Sequence, residues 1–321
     1  MSGWGNLLKI GLSRRRHQPG PRMTGRKRDH PAYLPVVMTV VVPAHNEARV
    51  IGRLLGQLVP AARPGGTASP AELDVIVVAN GCTDDTAEVA SSFGPPVRVL
   101  TIPVASKRAA LLAGDQAASD FPRIYVDADV ELGAADIQAL GAALSRTGTL
   151  AGGPRRELDL TGRPWLVRWY YAVWEQLPEV RTGLFGRGVI GLSEAGYARV
   201  ASLPPLLADD LVASLAFKPE ERVIVPGARV VVHTPRTVRD LLRRRVRATM
   251  GVNQVEESEG APDSTARTRP RDLLALVRAR PLMAPQVAVF LAVAVAARRQ
   301  AAREVRRREY STWLRDESSR G

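Results

Sequence analysis

Only one cysteine, Cys82, stands in the 321 residues, so the chain can form no internal disulfide and can build no cysteine-ligated metal cluster. Such usage fits a reducing compartment. Aromatic residues reach 5%, an ordinary share. No uninterrupted apolar run attains the roughly 20 residues of a comfortable spanning helix. The longest, residues 282–297, contains Gln286, follows Pro281 and is entered through Pro285. Arg298 and Arg299 come directly after it, as basic residues do at cytoplasmic membrane edges. A membrane-embedded or interfacial helix and a core or partner-binding helix both remain open. Residues 7–12 are too short for a secretory signal and run into Arg14-Arg15-Arg16, so none is expected there. No internal repeat is visible.

Acid is scarce at the periphery and balanced elsewhere. The net charge is +13, yet residues 1–36 carry +7, residues 236–247 carry +5 and residues 298–321 carry +4, which leaves the rest at −3. The basic character therefore belongs to flanking segments, which suit an anionic membrane surface or nucleic acid. The remaining body has 45% hydrophobic residues chain-wide to draw on, enough for a substantial core.

What is present is an alternation of strands and helices. Residues 36–42 are continuously apolar and β-branched, Pro43 stops them, and helical spacing follows at Val50, Ile51, Leu54, Leu55 and Leu58. Residues 73–79 and 97–102 read as further buried strands. Thr83 or Asp84 is placed to cap one helix and Lys107 opens another. The central strand, residues 124–126, ends in Asp127-Ala128-Asp129. Four such units predict an open, doubly wound, mostly parallel sheet. Two carboxylates one residue apart at a strand's carboxyl end can share a hard cation such as Mg²⁺ or Mn²⁺, or can be solvated loop acids.

Beyond a helix at 134–144 and a short strand at 149–152 the alternation breaks. A helix at 165–174 carries an aromatic face, and Gly183, Gly186, Gly188 and Gly191 mark a loop with close backbone approach. Asp209-Asp210 opens a helix, two strands follow at 222–225 and 228–232, and His233 stands at the end of the second. The expected layout is a basic mobile arm (1–36), an α/β body (37–236), a basic amphipathic helix with a linker (237–280), an apolar helix (281–298) and a basic tail (299–321).

Taken in order, these segments resemble family 2 glycosyltransferases of the GT-A fold across roughly residues 38–250. Pro43-Ala44-His45-Asn46-Glu47 is similar to the family's P-A-Y-N-E loop, and Asn80-Gly81-Cys82-Thr83-Asp84-Asp85-Thr86 to its D-G-S-T-D-x-T segment. Lys107-Arg108 through Gly114 resembles the G-K-x-x-A-L-N-x-G helix, Asp127-Ala128-Asp129 takes the D-x-D place, Asp209-Asp210 the E-D place, and His233 that of a C-terminal histidine.

The resemblance implies a nucleotide-sugar transferase with a Rossmann-like sheet flanked by helices and a C-terminal helical extension. Asp129, Asp127 and His233 would serve the metal, and Asp210 would deprotonate the acceptor hydroxyl. Pro43, His45, Glu47, Asn80, Lys107, Asp127, Gly188, Asp209, Arg244 and Arg247 would meet the substrates. For His233 a plain surface role, and for Asp210 a simple charge at a helix start, stay open. The implied partners are a nucleoside-diphosphate sugar and a lipid-linked or small acceptor, and the implied place is the cytoplasm, at the inner membrane face.

The chain also departs from the family. Asn80 replaces the acid that meets uracil, and His45 replaces tyrosine. The Q-x-x-R-W motif survives only as the spacing of Arg244 and Arg247, with Ala248 in place of tryptophan, which argues against a processive polysaccharide synthase. A sugar-phosphate nucleotidyltransferase would need a glycine-rich loop after the first strand, where Ala44-His45-Asn46-Glu47 has none. A non-catalytic scaffold or a nucleic-acid binder would have little use for Asp127, Asp129, Asp210 and His233 together, since such acids repel phosphate backbones.

Overall fold

The computed structural model describes residues 38–59, 73–203, 209–257 and 268–307, the side chains of residues 209, 210, 254–257 and 305–307 apart. The expected basic arm, the 60–70 loop and the tail beyond 307 lie outside the described residues. Seven strands form one sheet: β1 (Met38–Ala44), β2 (Leu73–Asn80), β3 (Val97–Ile102), β4 (Arg123–Val126), β5 (Ala151–Asp159), β6 (Val189–Leu192) and β7 (Arg222–His233). Their spatial order is β3-β2-β1-β4-β6-β5-β7. All neighbours pair in parallel except β6, which runs antiparallel to both β4 and β5. Strands two and three lie on one side of β1 and β4 on the other. A crevice thus opens beyond the carboxyl ends of β1 and β4, the place where open α/β sheets bind ligands.

The helices are α1 (Ile51–Leu58), α2 (Thr86–Ser91), α3 (Lys107–Ala117), α4 (Ala134–Leu144), α5 (Trp165–Trp174), α6 (Pro178–Thr182), α7 (Glu194–Ala201), α8 (Asp209–Leu215), α9 (Val238–Glu257), α10 (Pro270–Ala279) and α11 (Ala284–Arg307). Ile51, Leu54, Leu55 and Leu58 put one stripe of α1 into the core, each at most 2% exposed. Each such burial stabilises by about 1.5–3 kcal/mol, so a charge at Leu55 would detach the helix. Ser106 caps α3 by accepting from the Ala109 amide at 3.2 Å, which fixes where Lys107 leaves the backbone. α3 covers one face of β1 and β2; α4 covers the other face at β5 and β7.

Three expectations need correction. The two strands at 222–225 and 228–232 are one strand, β7, whose pairing with β5 shifts register at Pro154/Arg155. Pro226-Gly227 reads locally as a turn, but the long parallel ladder to β5 carries the chain through it as a bulge. The strand expected at 149–152 extends to Asp159. Within the expected linker, Pro270 begins a helix whose Leu273 is buried; Pro is well suited to a first turn.

The aromatic face of α5 is core: Tyr170 and Tyr171 are buried, and Tyr170 stacks on Phe290 of α11 at 5.0 Å. α11 lies against α5 and α9 through Val287, Phe290, Ala297 and Ala301. By length and composition, Pro281–Glu304 could cross a membrane. Here one face of it is spent on the body.

Candidate active site

The ends of β1 and β2 are stapled together. Asn80, 1% exposed, donates its Nδ2 to the Ala44 carbonyl at 2.8 Å. His45 Nδ1 donates to the Asn80 carbonyl at 2.6 Å, which orients the ring. Asn46 takes a left-handed φ of 53°, a conformation asparagine tolerates, and its Oδ1 accepts from the Thr83 amide at 2.8 Å. The buried Glu47 donates its amide to Thr86 Oγ1 at 2.8 Å. The P-A-H-N-E and N-G-C-T-D-D-T segments thus form one rim. Asp84 accepts from the Thr86 amide and hydroxyl and from the Ala48 amide. Burial raises its pKa, and these bonds overcome that and lower it. It is the clasp of the rim more than a cap for α2, whose N-cap residue is Asp85.

At the end of β4 the Asp127 amide donates to the Gly188 carbonyl at 2.7 Å, and Lys107 Nζ sits 2.8 Å from Asp127 Oδ1. Gly188 has φ 66°, and a Cβ there would stand 2.5 Å from Val130 Cγ1 and 3.4 Å from Asp127 Oδ2. Only glycine allows this approach. The loop is held from behind by Arg187, 3% exposed, which donates to the carbonyls of Gly183 and Pro154 at 3.0 Å and of Arg181 at 3.2 Å. Burial, and then the neighbouring Arg156, disfavour its charged form. Sequence reading marked the glycines but not Arg187; an arginine inside an otherwise apolar, glycine-rich stretch was the signal.

His233 ends β7, and its partners come from distant segments. Its Nδ1 lies 3.0 Å from Asp159 Oδ2 and its Nε2 2.8 Å from Glu131 Oε1. The Glu131–Val231 bridge brings that glutamate alongside β7. Arg53 pairs with Glu131 at 3.5 Å and Arg163 with Asp159 at 3.4 Å. Both ring nitrogens thus stand within hydrogen-bond reach of carboxylates, in a linked chain of side chains that runs from Arg53 to Arg163. Arg244 donates to the His233 carbonyl at 3.3 Å, and Arg247 is exposed on α9.

This chain has an acid-stability signature. Burial alone would raise the Asp159 carboxyl, but hydrogen bonds from Thr161 and His233, and then Arg163, hold it at about 2. A carboxyl depressed on folding gives stability that is present above its unfolded pKa of about 3.9 and lost as pH falls toward 2. Asp159→Asn is expected to cost on the order of 2 kcal/mol at pH 7 and to flatten the loss of stability between about pH 4 and 2, read by urea denaturation across pH.

Asp127 and Asp129 are half-buried at the crevice and offer hard carboxylate oxygens. Among the described residues no three His, Cys, Asp or Glu side chains gather into a protein cage. That donor set fits an ion held by one or two carboxylates together with substrate phosphates, the usual manner of Mg²⁺. Asp209 and Asp210 begin α8 as expected, and their side chains lie outside the described residues. Val212 and Ala213 of α8, with Asp127, Gly188 and Lys107, line a recess of about 270 Å³.

Residues 39–196 match the Glycosyl transferase family 2 model. An uncharacterized glycosyltransferase of Mycobacterium tuberculosis is 33% identical over 131 residues, which is 41% of this chain and 54% of that protein. A 4,4'-diaponeurosporenoate glycosyltransferase of Staphylococcus aureus is 40% identical over 60 residues, 19% of this chain and 14% of that one. The chain therefore spans about half or less of the length of these curated relatives. Among solved structures, a mannosyltransferase of Pyrobaculum calidifontis in complex with GDP-Man and Mn²⁺ superposes with a TM-score of 0.55 at 18% identity, covering 87% of this chain and 82% of the other. Glucosyl-3-phosphoglycerate synthase of Mycobacterium tuberculosis, in complex with Mn²⁺, UDP and glucosyl-3-phosphoglycerate, does so at 0.50 and 21%, covering 71% and 82%. The superposed structures share the fold of this chain, and through residues 39–196 the chain belongs to glycosyl transferase family 2, with the GT-A fold.

Proposed function

We propose that the protein is a metal-dependent, inverting glycosyltransferase of the hexosyl-transferring kind, which moves a sugar from a nucleoside-diphosphate sugar to an acceptor hydroxyl. The observation that carries this reading is the Lys107–Asp127 pair at 2.8 Å, set against Gly188 at the carboxyl end of β4. As the glycosidic bond breaks, negative charge grows on the leaving diphosphate, and Lys107 is the cation that the fold brings to that edge. Asp129, with Asp127, would hold Mg²⁺ or Mn²⁺, which when bound supplies Lewis-acid stabilisation of the same charge. Asp210 takes the acceptor proton; its helix meets the recess beside Asp127 through Val212 and Ala213. Asp209 and Gly188 shape the acceptor side.

Asn80 marks where the base of the donor would sit. Its Nδ2 is spent on Ala44, and its buried Oδ1 has no hydrogen-bond partner among the described residues. An orphaned buried acceptor costs about 1–3 kcal/mol. A base edge with an N–H would satisfy it: uracil and guanine offer a ring N–H, and cytosine, adenine and guanine an amino group. With His45, Pro43 and Glu47 on the same rim, this is the base subsite, and a UDP- or GDP-sugar is the donor by likeness to the nucleotides in the structural neighbours. Calorimetric titration of UDP, GDP and CDP with Mn²⁺ is expected to show binding of one of the first two and none of CDP. Binding of CDP alone would overturn the UDP/GDP assignment, and binding of no nucleotide by the folded protein would remove the donor-site reading.

The site of action is the cytoplasm, at the inner membrane face. Residues 281–297 hold no charged side chain, and the face of α11 turned from the body carries Leu291 and Val295, 45% and 43% exposed, with Leu282 at 92% just before it. Arg278 and Arg280 precede this strip and Arg298 and Arg299 follow it. Docked along one side and apolar along the other, the helix suits lying in a bilayer interface over anionic headgroups. Co-sedimentation with phosphatidylglycerol vesicles is expected, weakened at least tenfold by Leu291→Asp together with Val295→Asp; equal pelleting of the variant would overturn it.

A further inference from the structure

The recess beside Asp127 is far more apolar than a sugar needs. Its floor is β4 and β6, through Tyr125, Ile190 and Leu192; α3 forms one wall with Leu111 and Leu112, and α7 and α8 the other with Val200 and Val212. The charged lining residues are Lys107, Arg108 and Asp127, which group together, and Asp115, which is engaged by its neighbours. At the inner end the Tyr125 hydroxyl donates to Asp115 at 2.7 Å, and Asp115 also accepts from Arg123 at 3.2 Å. Those polar groups serve one another.

We infer that this recess is an acceptor subsite for an apolar body, so that the acceptor is an amphiphile: a hydrophobic moiety in the trough with its hydroxyl or phosphate-bearing head at Asp127 and Lys107. This rests on the transferase reading and narrows its acceptor. Size and chemistry both point this way. A recess of about 270 Å³ has room for several waters, yet the walls give those waters few partners. A hexose lowered into the trough would likewise leave its hydroxyls unpaired, at about 1–3 kcal/mol apiece. An alkyl or isoprenoid-like body pays no such penalty and buries the leucine and valine walls. The trough also ends beside the first turn of α8, so a head group at its mouth lies between the proposed base helix and the proposed donor phosphates. An apolar pocket with a few convergent polar groups at one end is how small amphiphiles are held and oriented.

The test uses decyl β-glucoside below its micelle concentration as probe, with methyl β-glucoside as control, in calorimetric titrations of the full chain. Two variants accompany the wild type: Val200→Trp, which fills the trough, and Leu112→Asp at its rim, where the side chain is 54% exposed and the core is untouched. The wild type is expected to bind the decyl compound at least tenfold more tightly than the methyl compound, with a negative heat-capacity change. Both variants should lose at least tenfold in decyl binding while UDP or GDP binding with Mn²⁺ is unchanged. Equal binding of the two glucosides would overturn the proposal. So would decyl binding that neither variant weakens, which would put the probe on another apolar surface such as α11. If Val200→Trp weakens the nucleotide sugar but not the nucleotide, the trough holds the donor's sugar and the acceptor assignment falls. Absence of any nucleotide binding in the wild type would instead sink the donor site and leave the apolar subsite to be judged by the glucosides alone.

Discussion

Asp129→Asn is expected to abolish Mn²⁺-dependent nucleotide binding and to lower kcat by about 10²–10³, the loss seen when one strong stabiliser of developing charge is removed. The substitution keeps shape and removes charge, so the loop should stay in place. The Asp129 carbonyl, which accepts from Arg53 at 3.4 Å, is untouched, and Asp127 keeps Lys107. The loss should therefore appear in metal and nucleotide titrations as well as in turnover, with unfolding unchanged. Equal Mn²⁺ dependence in wild type and variant would move the metal away from this residue. Asp127→Asn should behave differently, because it also frees Lys107 beside the diphosphate, so part of the nucleotide affinity should survive without Mn²⁺.

Asp210→Asn is expected to spare the donor side altogether. UDP or GDP affinity with Mn²⁺ should be unchanged while kcat for transfer falls by about 10²–10⁴, the range for loss of a positioned general base. The acid limb of the pH–rate profile, which reports deprotonation of the base, should vanish with it. Donor hydrolysis by water gives the internal contrast: if hydrolysis and transfer fall alike, the residue serves the donor and not the acceptor. Unaltered transfer would hand the base role to another group, and Asp209→Asn is the next variant to make.

The sheet was legible because its signals are local. Residues 38–44 are apolar on both faces, and Leu54, Leu55 and Leu58 repeat at helical spacing, so burial and periodicity agree. The order of rim segments was legible for the same reason, since each follows its own strand. What could not be read was made by pairing across long stretches of chain. β7 runs through Pro226-Gly227 because β5 holds it. Glu131 reaches His233 because the Glu131–Val231 bridge joins segments 100 residues apart. Nothing near His233 in sequence announces Asp159 or Glu131 as its partners. Likewise Asn80 reads as a substrate-facing amide, and only its fold shows the donor half already committed to Ala44.

The pairing of β5 with β7 has a consequence during synthesis. β5 is complete at Asp159, and the strand that closes its outer edge ends only at His233. At about 5–20 residues per second, the nascent chain carries that edge open for roughly 4–15 s. Through that interval the buried backbone of Ala151, Gly152 and Pro154 is a template for whatever strand arrives first. Native order depends on β7 arriving before a neighbour on the same message does, and slowed elongation between residues 160 and 222 would lower the yield of folded protein without altering a single contact in it.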